Sequence, residues 1–138
     1  MRLTTIILSV ILMASCSSPP HTISESEPGV STITSNDGGF VVQWSTRPEV
    51  IPVNDFFEVD VLLLGPDGTP LENATLDVDA AMPHHRHGMN HRSHMEHVGD
   101  GRWRAEDMLF HMPGSWVLYF DVNQEGTVRR AQTDVEVD

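Results

Sequence analysis

Phe57-Glu58-Val59-Asp60-Val61-Leu62-Leu63 sets Phe57, Val59, Val61 and Leu63 on one side of an extended chain and Glu58 and Asp60 on the other. A period of two over seven residues is the signature of a strand with one buried face. The same phase recurs on both sides. Upstream, Phe40, Val42 and Trp44 alternate with Val41, Gln43 and Ser45. Downstream, Leu76, Val78 and Ala80 alternate with Asp77 and Asp79, and Trp116, Leu118, Phe120 and Val122 stand opposite Tyr119 and Asp121. Val135 and Val137 close the series against Asp134, Glu136 and Asp138. Two shorter pieces lie between them, Trp103 flanked by Arg102 and Arg104, and Met108-Leu109-Phe110-His111. Turn residues separate the runs, as in Gly65-Pro66-Asp67-Gly68, and no segment sustains a helical period. About seven short strands in one domain predict an immunoglobulin-like antiparallel β-sandwich, with a small closed barrel as the alternative. The three tryptophans sit in or beside alternating runs and read as core.

The first fifteen residues differ in kind. Arg2 precedes the apolar run Ile6 to Ala14, too short for a bilayer span, and small residues follow before Cys16. This reads as a signal peptide over residues 1–15. Met13-Ala14-Ser15-Cys16 resembles the lipobox of bacterial lipoproteins, which implies lipidation at Cys16. Residues 16–36, rich in Ser and with Pro19, Pro20 and Pro28, read as a flexible tether, and residues 37–138 as the folded domain. The expected location is the cell envelope, lipid-anchored and facing the periplasm or the exterior; inner and outer membrane both stay open.

Composition narrows the partners. The chain carries 20 Asp and Glu against 8 basic residues, all Arg, for a net charge of -12. That charge, with no basic stripe, argues against nucleic acid. A single Cys can form no internal disulfide and no thiolate zinc site, so a metal would be held by nitrogen, oxygen or thioether. Catalytic signatures such as a nucleophile elbow, a phosphate loop or His-Glu-x-x-His are missing, and the chain reads as a non-enzyme.

Chemistry concentrates between residues 82 and 112. Six of the eight His lie between His84 and His97, and all five Met beyond the leader lie between Met82 and Met112. The candidate metal ligands are Met82, His84, His85, His87, Met89, His91, His94, Met95, His97, His111 and Met112. Thioether plus imidazole without thiolate favours copper as Cu(I), with Cu(II), Zn and Ni open to the imidazoles. A metal-donor or metal-acceptor protein of the envelope is the implied partner. The alternative is an immunoglobulin-like interaction module whose exposed His bind Zn or Ni adventitiously. Geometry supplies a condition. If 102–106 and 108–111 are two antiparallel strands, His111-Met112 falls at the same end as the His-rich stretch. If 101–110 is one strand, the two clusters lie at opposite ends and share no site.

Met82-Pro83-His84-His85-Arg86-His87-Gly88-Met89, then Gly101-Arg102-Trp103, then Met112-Pro113-Gly114-Ser115-Trp116 together resemble the YtkA-like domain family, which is similar to FixH-type proteins. The resemblance implies a small immunoglobulin-like sandwich and a role in copper handling and respiratory oxidase assembly; the expected function is a copper chaperone or buffer serving oxidase assembly or copper tolerance. It also implies Met82, His85, His87, Met89 and Met112 as the metal positions. The run from His91 to His97 is richer in His than that pattern and reads as an accessory sink.

Overall fold

A computed structural model of the chain describes residues 28–138. The leader, Cys16 and most of the tether lie outside the described residues. Among the described residues nine strands form: β1 (Ser31–Thr34), β2 (Val41–Arg47), β3 (Phe56–Leu64), β4 (Thr75–Met82), β5 (His87–Gly88), β6 (His94–Gly99), β7 (Arg102–Leu109), β8 (Gly114–Gln124) and β9 (Thr127–Val137). They make two sheets, ordered β1-β2-β3-β7-β6 and β5-β4-β8-β9, with antiparallel pairing throughout. This is an antiparallel β-sandwich of the expected class. Among the described residues no helix is long and apolar enough to cross a membrane.

The alternating runs become the inner faces. Phe57, Val59, Val61 and Leu63 of β3 are buried, as are Leu76, Val78, Ala80 and Met82 of β4 and Trp116, Leu118, Phe120 and Val122 of β8. Their charged alternates lie outside, where Arg104 meets Asp60 at 2.9 Å and Arg130 holds Asp121 at 2.6 Å. Opposing carboxylates raise both guanidinium pKa values: Asp60 first, with Glu58 and Glu96, for Arg104, and Asp121 for Arg130.

Three departures from the sequence reading matter. The count is nine strands rather than about seven, because edge strands escape a search for apolar alternation. β1 falls within the stretch read as tether, and its β-branched Thr32, Ile33 and Thr34 pair with Gln43, Val42 and Val41. The sheet therefore begins ahead of residue 37. The pieces at Trp103 and Met108 belong to one strand, β7, in which Asp107 adopts φ 59 and the pairing with β3 slips between Phe57 and Val59. That bulge moves the buried phase from Trp103 and Ala105 to Met108 and Phe110, which is why the sequence reads as two strands.

A single β7 should have parted the two His/Met clusters, and it does not. The missing element is β6. It leaves the 82–93 segment, turns at residues 99–101 and pairs back along β7, with His94 opposite Glu106 and His97 opposite Trp103. Out and back returns the chain to the end it started from, so His111 closes the same end of the sandwich as His87.

Candidate metal site

β4 ends at Met82 in a tight reversal. A one-turn 3-10 helix, Pro83–His85, is closed by Arg86 in the left-handed conformation (φ 58), whose N–H donates to the Pro83 carbonyl at 3.1 Å. β5 then pairs antiparallel with β4, placing His87 opposite Met82 and Gly88 opposite Ala81. Opposed residues share a face, so His87 takes the inward phase of buried Met82, at the rim where the apolar layer stops. The reversal also draws the rings of His85 and His87 to 5.9 Å.

The second contribution comes after β7. Phe110 stacks on Trp116 with centroids 4.4 Å apart and planes 2° from parallel. The next residue, His111, brings its ring to 5.1 Å from that of His87. Trp116 forms the floor under both, edge-on to His111 at 5.4 Å and to His87 at 6.0 Å. The indole is held in turn, because its Nε1–H donates to the Met112 carbonyl at 3.0 Å. Gly114 completes the corner at φ 117, and a Cβ there would lie 3.1 Å from Met82 Cε. The two Met-Pro segments therefore meet physically: the Met82 thioether methyl occupies the space that only glycine leaves at Gly114.

One polar atom of this corner lacks a partner. His111 Nδ1 is buried and, among the described residues, neither accepts nor donates a hydrogen bond. Leaving such a group unpaired costs about 1–3 kcal/mol, so a ligand for the ring would repay it. His87 Nδ1 sits 3.4 Å from the Gly88 carbonyl, at the far limit of a hydrogen bond. Met112, 37% exposed, is the soft donor beside His111.

The other candidates scatter. Met82 is 1% exposed and belongs to the core, as does Met108. Met89 packs against the core while its N–H donates to the Ala80 carbonyl at 3.1 Å. His84 is exposed on the reversal. His91 meets Phe56 edge-on at 5.2 Å. His94, Met95 and His97 ride on β6, in the other sheet. Among the described residues no three His, Cys, Asp or Glu side chains converge as a metal site. The structure thus brings His85, His87, His111 and Met112 to one end, leaves His91 against Phe56, and carries His94, Met95 and His97 away along β6. Sequence reasoning placed Trp116 in the core and missed it as the floor of this corner; its spacing from Met112 was the available signal.

A protein-family model described as YtkA-like matches residues 34–121, from the end of β1 into β8. No curated protein and no solved structure matches the chain.

Proposed function

Because the chain belongs to the YtkA-like family, we propose that it carries or buffers copper, as cargo, outside the cytoplasm while tethered to a membrane. The observation that carries this reading is the meeting of His87 and His111, from separate sheets, at 5.1 Å over Trp116, with His111 Nδ1 buried and unpartnered. Two imidazoles with the neighbouring thioether of Met112 form a mixed borderline and soft donor set of the kind copper favours. His85 stands within reach of His87 as a further imidazole. Met112 and His85 are exposed, so a partner with similar ligands can replace them one at a time. Ligand exchange of this kind suits transfer rather than catalysis. The tether is supported by the apolar leader and the lipobox-like Met13-Ala14-Ser15-Cys16.

The test is a metal titration of the full chain carrying Cys16→Ser, which removes the competing thiolate. Cu(I) is measured against a chromophoric chelator, and Cu(II), Zn and Ni are titrated separately. Stoichiometric Cu(I) uptake is expected, with His111→Phe and Met112→Leu each weakening the end site at least tenfold. Unchanged Cu(I) affinity in both variants, or equal and nonstoichiometric uptake of every metal, would refute the copper reading.

A further inference from the structure

β6 carries chemistry that the end site leaves unused. Its register with β7 sets Met95 opposite Ala105 and His97 opposite Trp103. Ala105 and Trp103 are buried, so Met95 and His97 take the inner-face phase of an edge strand, two residues apart, about 6–7 Å along the chain. Their surroundings differ from those of the alternate residues. Glu96 points the other way, to Arg104 at 3.7 Å, and His94 stands opposite Glu106. The Met95/His97 face therefore presents one thioether and one imidazole, with no carboxylate from its own strand.

The imidazole is already oriented. His97 lies over the Trp103 ring with centroids 4.4 Å apart and planes 33° from parallel. Trp103 is 9% exposed, and its Nε1 is buried without a hydrogen-bond partner, so packing alone fixes the indole. A ring stacked on a fixed ring has lost most of its rotamer freedom before any ligand arrives. His97 itself is exposed while Met95 is half-buried against the core, and among the described residues β6 has no neighbour on its outer edge, which leaves the approach to the imidazole open. Trp103 lies near the start of β7 and His111 two residues past its end, eight residues or roughly 25 Å of extended chain apart, so the two sites cannot share an ion.

We propose that Met95 and His97 form a second metal site, selective for Cu(I), with Trp103 as its positioning residue. The donor set decides the metal. Cu(I) is soft and accepts few ligands, whereas Zn, Ni and Cu(II) need more nitrogen or oxygen donors than this face offers. The inference stands apart from the end site and does not require it.

The experiment uses the full chain carrying Cys16→Ser, alone and with His87→Ala and His111→Phe to silence the end site. Equivalents of Cu(I) are counted against a chromophoric chelator while tryptophan emission is followed. Two equivalents are expected in the parent and one in the silenced chain, and that remaining equivalent should quench emission. Replacing Trp103 with Phe should abolish most of this quenching. Met95→Leu and His97→Phe, both on an edge strand that tolerates them, should each weaken the retained equivalent at least tenfold; Zn should not compete. A silenced chain that binds no Cu(I), or binds it regardless of Met95→Leu and His97→Phe, overturns the second site. A parent that binds only the equivalent removed by those two changes overturns the end site and leaves this one standing.

Discussion

Met82 is the residue at which packing and metal binding make opposite demands, so its substitution discriminates between them. Its side chain is 1% exposed, lies in the core, and brings Cε against Gly114. Truncation to Ala removes the whole thioether from a close-packed layer, at a cost of about 2–5 kcal/mol. A domain of this size has about 5–15 kcal/mol to lose, and each kcal/mol moves Tm by roughly 4–8 °C, so Met82→Ala should melt about 8–40 °C lower. Met82→Leu conserves volume and apolar character and should cost less than about 1.5 kcal/mol. Thermal unfolding reads the first quantity. Cu(I) competition against a chelator reads the second, and Met82→Leu should stay within about threefold of the parent, where about 0.7 kcal/mol separates the two. The decisive contrast is with Met112→Leu, which removes an exposed thioether and should weaken Cu(I) binding without lowering Tm. If Met82→Leu keeps its Tm but loses Cu(I) as Met112→Leu does, the thioether serves the metal and the packing argument is wrong.

His111→Phe should melt at the parent's temperature or above it while losing Cu(I), because an apolar ring relieves an unpaired buried nitrogen; a clear fall in Tm would mean that nitrogen is paired in solution. Gly114→Ala should cost about 1–3 kcal/mol, since φ 117 is strained for any residue with a Cβ and Met82 must also shift, and an unchanged denaturation midpoint would show the corner to be loose. The Asp37 carboxylate is held below the usual range, first by the Ser35 hydroxyl, then by the Gly39 N–H and the Arg129 guanidinium. A depressed carboxylate stabilises the fold above its unfolded pKa and loses that contribution as pH falls through the folded value. Asp37→Asn should therefore be less stable than the parent at neutral pH, the gap closing in acid; a gap that stays constant with pH would refute the linkage.

The sequence discloses the sheets' interior more readily than their margins, for a physical reason. β2, β3, β4, β8 and β9 each bury one face against the opposite sheet, so their apolar residues must alternate. β1 and β6 are edge strands with largely exposed side chains, held in register by backbone hydrogen bonding and by one apolar contact each with the core, Ile33 and Met95. No apolar pattern is required of them, so none is present to read. The bulge at Asp107 belongs to the same class: one extra residue changes the phase without changing composition. The candidate stretch is legible from composition, since His and Met crowd into 82–112. Its division is not. His87 joins His111 while His97 joins Trp103, and both pairings depend on β6, the strand the pattern does not disclose.

The corner at His111 also gives a reason why a sandwich would suit the proposed chemistry. On one sheet, strand pairing carries the inward phase out to the rim, where the apolar layer meets water, and places His87 there opposite Met82. On the other, His111 reaches the same rim past the end of β7, directly after buried Phe110, where strand alternation no longer sets the phase. A ring there has a dry side and a wet side. The dry side is fixed by Trp116, itself tied to the Met112 carbonyl and stacked on Phe110, so orientation is set by the core rather than by the loop that supplies the imidazole. The wet side leaves a ligand open to exchange. Orientation from one sheet and access from the rim thus arise from the same two residues. Substituting the Trp116 floor should loosen the imidazoles without touching either, whereas lengthening the reversal at Pro83–His85 should move His85 and leave the His87–His111 pair in place.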